Sequence, residues 1–320
     1  FPDTIKSPEK IKFVSLGYYS SEELEKNIEG LKLFPNIEYL EIKTSSQFRK
    51  SDIKDTLKIP ENLNELSKLK YLQLSGTYHI GFDDLFIRLQ SLSSLAYLGL
   101  PFALEDVQLP ESFLKFKNLK GIKISGFKKF IFPNNMDGMD NLESIVMPGE
   151  SYENISEEFL KFSTLPALKN LALSFVKIKK EDLLPFQKYS KLERLYLSNF
   201  EIGNVQDLVD NISQENNLKE LRIENLKSNK GISDYSKLKN LEKLHISSYS
   251  DYKISLHESL YDLENLKSLT VHTDSLFSLS ENLGDLKNLE ELKFSYNNLT
   301  SLPSQIGKLK KLRHLILRNN

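Results

Sequence analysis

Residues 289–320 read Leu289-Glu-Glu-Leu292-Lys-Phe294-Ser-Tyr-Asn297-Asn-Leu299-Thr-Ser-Leu302-Pro303-Ser-Gln-Ile306-Gly-Lys-Leu309-Lys-Lys-Leu312-Arg-His-Leu315-Ile-Leu317-Arg-Asn-Asn320. The spacing L-x-x-L-x-L occurs twice in this stretch, at Leu289/Leu292/Phe294 and Leu312/Leu315/Leu317, 23 residues apart. Toward the N-terminus it returns in copies that start at Leu266, Leu241, Leu218, Leu192, Leu168, Leu142, Leu119, Leu95 and Leu69. Two looser copies begin at Ile37 and Ile11. The thirteen copies are 23 to 32 residues apart, and a fixed period of that size marks a solenoid array.

The fourth and sixth residues of each copy alternate with polar or small neighbours, the period of a half-buried strand. One such strand cannot bury its face alone. Stacking successive copies sideways gives a parallel sheet with a continuous leucine core behind it. The return segments carry apolar residues about every third position, such as Leu63, Leu66 and Leu69, or Ile306, Leu309 and Leu312. That spacing predicts helical or 3₁₀ turns packed behind the sheet.

These residues resemble the leucine-rich repeat family over nearly the whole chain. The segment Leu299-Thr-Ser-Leu302-Pro303-Ser-Gln-Ile306-Gly-Lys-Leu309 is similar to the return of its 23-residue bacterial subclass. The resemblance implies an α/β leucine-rich repeat solenoid, a right-handed curved superhelix with about thirteen strands on its concave face and short helices or 3₁₀ turns on its convex face. The family places asparagine at the ninth repeat position. Here only Asn297 and Asn320 do so, and Thr77, Ala103, Phe127, Glu150, Val176, Phe200, Leu226, Tyr249 and Asp274 replace it elsewhere. Apolar residues there must fill space, and the backbone groups an asparagine would have served need other partners. Variable loops and uneven curvature are expected in the N-terminal two thirds.

The expected organisation is an N-terminal cap over residues 1–36 and a repeat array over 37–320 with no evident C-terminal cap. Ser20-Ser-Glu-Glu23 reads as a capping box opening a helix with Leu24, Ile28 and Leu31 on one face. Residues 45–59 read as an enlarged loop or short helix, since loops accept insertions cheaply. The last strand, over residues 312–318, could self-associate or meet another molecule.

Composition narrows the function. The chain has 320 residues, no Cys and no Trp, and a net charge of -1. There is no thiolate chemistry, no global basic field to recommend nucleic acid, and no apolar run long enough to span a membrane. No phosphate loop, dinucleotide fingerprint, nucleophile elbow or H-E-x-x-H occurs. His245 and His272 lie at strand positions five and seven of adjacent copies, too far apart for joint metal ligation without rearrangement. No cofactor, metal or catalytic activity is expected.

In this fold the third, fifth and seventh residues of each copy point away from the core. The third column begins Phe13, Tyr39, Tyr71, Tyr97, an aromatic ladder on four consecutive strands. In the five copies from Leu69 to Leu168 one of fifteen outward residues is charged, Lys123, against seven of fifteen in the last five copies. Interface cores lose charge and gain aromatics. The ladder with Phe102, Val146, Asn170, Phe175 and Tyr196 is therefore the expected ligand face, although cross-strand stacking also stabilises a sheet. The expected function is non-enzymatic binding of a protein or peptide ligand in the concavity. The family resemblance extends this to a bacterial secreted or surface protein that engages host proteins. Two alternatives remain: the substrate-recognition region of a larger effector or enzyme, and carbohydrate binding through the tyrosines.

Overall fold

The computed structural model describes residues 5–18, 20–44, 59–76, 81–102, 106–126, 130–148, 155–174, 176–212, 216–228, 230–248 and 256–320. The chain divides into two compact units, Phe1–Glu150 with Thr164–Ala167, and Ser151–Ser163 with Leu168–Asn320.

In the first unit the strands Phe13–Tyr18, Tyr39–Thr44, Tyr71–Ser75, Tyr97–Leu100, Gly121–Ile124 and Ser144–Pro148 lie side by side in chain order, each parallel to the next. In the second unit Asn170–Ser174, Arg194–Ser198, Glu220–Glu224, Lys243–Ser248, Ser268–Thr273, Glu291–Lys293 and His314–Ile316 do the same. The thirteen copies read from the sequence are thus thirteen parallel strands. The register follows the repeat, third residue opposite third residue: Phe13 faces Tyr39, Tyr39 faces Tyr71, Tyr71 faces Tyr97, and Tyr97 faces Gly121. Hydrophobic burial fixes it, because a slip of one residue would turn every core leucine into solvent.

The fourth and sixth residues form the core, except at the last strand, where Leu315 is 44% exposed. Leu72, Leu74, Leu98, Leu100, Leu244, Ile246, Leu269 and Val271 are all buried. Each fully buried aliphatic side chain contributes roughly 1.5–3 kcal/mol. Behind the first unit's strands lie the helices Ser21–Gly30 and Phe82–Leu89 and the 3₁₀ turns Glu61–Glu65 and Glu111–Lys115. The second unit has the helices Ile155–Phe162 and Gln206–Asn211 and 3₁₀ turns that include Lys180–Lys188, Glu281–Asp285 and Ser304–Lys308. Leu63, Leu66 and Leu69 are all buried, because three residues per 3₁₀ turn bring every third side chain to one side. The helix Ser21–Gly30 is capped as its sequence predicts: the Ser20 hydroxyl accepts from the Glu23 N–H at 3.2 Å, and Leu24, Ile28 and the following Leu31 are buried.

Two short parallel pairs were not foreseen, Val107–Gln108 with Phe130–Ile131 and Lys177–Ile178 with Glu201–Ile202. Two residues are too few to show a period. Of residues 45–59 only Ile59, which is buried, is among the described residues.

Asparagine does its work at an unexpected position. At position nine Val176, Phe200 and Leu226 are buried and fill space. There Asn297 accepts from the Thr273 N–H and donates to the Val271 carbonyl, each at 2.9 Å. The residue just before the first leucine is the more regular one. Asn118, Asn141, Asn217, Asn240, Asn265 and Asn288 each donate through Nδ2 to a backbone carbonyl of the preceding copy, at 2.7–2.9 Å. Carbonyls at these corners are therefore served from the neighbouring copy. Position eight is the corner where the chain leaves the strand. Gly76, Gly126, Asn199, Asn225 and Tyr296 all take positive φ there, which Gly and Asn do at low cost.

Candidate functional site: the outward face of the sheet

In the first unit the register brings the third-column aromatics into one stack. The Phe13 and Tyr39 rings are 4.6 Å apart at 22°, Tyr39 and Tyr71 5.8 Å at 23°, and Tyr71 and Tyr97 4.5 Å at 2°. The first and last of these separations are close to the 4.7–4.9 Å spacing of neighbouring strands, so the rings stack along the sheet, with a wider step between Tyr39 and Tyr71. Their faces are turned to one another. Phe13 is 58% exposed and Tyr71 39%. Burial, with Tyr71 and Glu143 nearby, raises the Tyr97 phenol above its ordinary value.

The stack ends where side chains disappear. Gly121 follows Tyr97 in the third column, and the Tyr97 ring leans over it: a Cβ at Gly121 would stand 2.7 Å from Tyr97 Cδ1. In the fifth column Gln73 lies over Gly99, where a Cβ would collide with its side-chain amide. The missing side chains leave a shallow depression of about 170 Å³. Tyr39, Tyr71, Tyr97 and Gln73 line one side and Lys123, Ser144 and Val146 the other. The outward charges of the second strand are paired, with Lys43 Nζ 2.9 Å from Glu41 and the Ser15 hydroxyl donating to Glu41 at 3.1 Å. Lys123 is exposed and, among the described residues, has no ion-pair partner.

The second unit's outward face is differently built. The Tyr196 hydroxyl and the Arg222 guanidinium both donate to Glu224, Arg222 Nε at 2.7 Å. The guanidinium also lies 5.2 Å from the Tyr196 ring centroid, a cation–π contact. His245 Nε2 is 3.7 Å from Glu224, and the His245 ring is 5.6 Å from that of His272. Burial and the Arg222 charge hold His245 down at about 4, against the pull of Glu224. Burial would raise Glu224, but the hydrogen bonds from Tyr196 and Arg222 outweigh it and leave the carboxyl below its ordinary value. Lys293 pairs with Glu291 at 2.7 Å. Arg222, Glu224, Glu291 and Lys293 thus satisfy one another's charge, whereas Lys243 and Arg318 are exposed and have no ion-pair partner among the described residues. Among the described residues, no group of three or more His, Asp or Glu could hold a metal ion.

The sequence-predicted residues therefore separate. Phe13, Tyr39, Tyr71 and Tyr97 come together, and Val146 joins the same depression. Phe102 is half-buried at a strand exit, its ring over Gly126, and does not line the depression. Asn170 and Tyr196 lie in the second unit, Asn170 accepting from Arg194 Nη1 at 2.7 Å and Tyr196 bound into the Glu224 network. Phe175 lies outside the described residues. Gln73, Gly99, Gly121 and Ser144 were not singled out from the sequence. The signal available was two glycines at outward positions of adjacent strands, where a side chain is otherwise the rule.

No protein-family model matches the chain, and no curated protein matches it in sequence. Solved structures do. An internalin from Listeria monocytogenes is 20% identical with a TM-score of 0.57, over 92% of this chain and 88% of that one. A TDR receptor is 20% identical with a TM-score of 0.57, over 95% of this chain and 50% of that one, so this chain spans half the receptor's length. A leucine-rich-repeat protein of Leptospira interrogans is 19% identical with a TM-score of 0.48, over 96% and 88%. At such identities the likeness to the internalin and the receptor shows the fold, which the period, the register and the buried leucines show independently: this chain is a leucine-rich-repeat solenoid.

Proposed function

We propose that this protein is a non-enzymatic binding module that holds a protein or peptide ligand against the outward face of its first unit. The observation that carries this reading is the four-ring stack ending at a glycine-floored, charge-poor depression. Tyrosine side chains give large contact area with little conformational freedom to lose. On the second unit's outward face Arg222, Glu224, Glu291 and Lys293 are already ion-paired, and a ligand there would have to break those pairs without full compensation. A sugar-stacking platform gains less support, because it needs open ring faces and here most faces are covered by the neighbouring ring. Similar solved structures include an internalin and a receptor, which accords with a recognition role.

The test is binding of peptides selected from a random display library on the immobilised wild-type chain. Tyr39→Ala, Tyr71→Ala and Tyr97→Ala should each weaken binding by about tenfold or more, as central aromatic anchors do. Arg222→Ala and Lys293→Ala should leave it within about threefold. Equal losses from both sets would remove the ligand from the ladder.

A further inference from the structure

The residue just before each strand forms a column of its own. In the first unit it runs Lys12, Glu38, Lys70, Ala96, Lys120, Glu143, and in the second Lys169, Glu193, Lys219, Glu242, Lys267, Glu290, Arg313. The sign alternates from strand to strand, and each acid can serve the base on either side. Glu38 takes Lys12 and Lys70, both at 2.8 Å. Glu193 takes Lys219 at 3.4 Å, and Glu242 takes Lys267 at 2.7 Å. The alternation fails at one place, Ala96, where an acid is due.

Ala96 sits where two lysines converge. Its N–H donates to the Lys70 carbonyl at 2.9 Å, and the Lys120 N–H donates to its carbonyl at 2.7 Å. Lys70 and Lys120 therefore start about 10 Å apart, two strand spacings, with only a methyl group between them. Lys70 already shares Glu38 with Lys12, and among the described residues Lys120 has no ion-pair partner. Lys123, equally unpaired, stands in the depression one strand beyond Tyr97. The next residue after Ala96 is Tyr97, the last ring of the stack. A local excess of positive charge thus borders the apolar depression, in a chain whose net charge is -1.

We infer that the ligand is an acidic polypeptide segment. It places an apolar or aromatic side chain in the depression against Tyr97 and a carboxylate in the gap over Ala96, between Lys70 and Lys120, with Lys123 taking a second acid. The ligand supplies the acid that the column lacks. This rests on the binding reading above and names the chemistry of the partner. Complementary charge also accounts for register, because the gap occurs once and fixes where along the sheet the segment lies.

The experiment measures binding of three polymers to the immobilised full chain: poly(Glu,Tyr), poly(Lys,Tyr) and heparin. Poly(Glu,Tyr) should bind at least about tenfold more tightly than either of the others and weaken with added salt, as ion pairing requires. Ala96→Glu fills the gap with the residue that Glu38 and Glu143 already are at equivalent positions, so it should leave thermal unfolding unchanged or slightly raised. It should weaken poly(Glu,Tyr) about tenfold. The double variant Lys120→Gln/Lys123→Gln should weaken it similarly without filling the gap. Equal or tighter binding of poly(Lys,Tyr) or heparin, no binding of poly(Glu,Tyr), or indifference to both variants overturns the inference. If library-selected peptides are still lost with Tyr71→Ala while Ala96→Glu leaves them bound, the ladder binds ligand and only the acidic assignment fails.

Discussion

The Tyr71–Tyr97 pair provides the sharpest energetic test of the ladder. The rings are 4.5 Å apart and 2° from parallel, whereas Tyr39 and Tyr71 are 5.8 Å apart at 23°. Stacked aromatic pairs contribute about 0.5–1.5 kcal/mol beyond the area they bury. A double-mutant cycle with Tyr71→Ala, Tyr97→Ala and the double variant should therefore give a coupling of about 1 kcal/mol. Tyr39 with Tyr71 should give less, because dispersion falls steeply over the extra distance. Phe13 with Tyr71, separated by the Tyr39 ring, should give no more than about 0.3–0.5 kcal/mol, the scatter of independent sites. The assay is urea unfolding followed by far-ultraviolet circular dichroism, since the chain has no Trp. A repeat array can lose cooperativity, so the slope with urea must stay constant across the four proteins for the cycle to be read. A Tyr71–Tyr97 coupling no larger than that of Phe13–Tyr71 would refute the stack as an energetic unit.

Three further outcomes follow from the geometry. Gly121→Ala places a methyl 2.7 Å from Tyr97 Cδ1 and should swing that ring off Tyr71; selected peptides should bind at least about fivefold more weakly, with a stability loss of no more than about 1.5 kcal/mol, the worth of the stack. Asn265→Ala removes the donor to the Lys239 carbonyl at 2.9 Å and should cost about 1 kcal/mol by urea unfolding, with no change in peptide binding. His245 is held at about 4 in the fold, below its ordinary 6.5, so the unfolded chain takes up the proton first. Its contribution to stability is present above pH 6.5 and is lost as pH falls toward 4. His245→Gln should flatten the pH profile of the unfolding midpoint across that window; an unchanged slope would contradict the assignment.

The sequence by itself determined the fold. Thirteen phased copies of L-x-x-L-x-L leave one way to bury the fourth and sixth residues of neighbouring copies together, and the same period sets the register. For that reason the aromatic column was legible before any coordinate: Phe13, Tyr39, Tyr71 and Tyr97 share a repeat position, so they had to become neighbours. What the period cannot carry is side-chain direction within a column. Tyr196 points outward from the fifth column as the ladder tyrosines do from the third, but Arg222 and Glu224 on the next strand tie it into a charged network. Phe102 turns over Gly126 because the chain is leaving the strand there. The second asparagine column was visible as the Asn before the first leucine of six copies, but its purpose depends on carbonyls some 24 residues away in the preceding copy. The depression itself is a tertiary fact: two glycines on adjacent strands are unremarkable as letters, and they floor a recess only where Tyr97 and Gln73 on the preceding strands lean across them. Periodicity records which residues must leave water, and a period is one-dimensional. Contact between side chains on different strands is settled by packing in the other two dimensions, and only the tertiary structure supplies those.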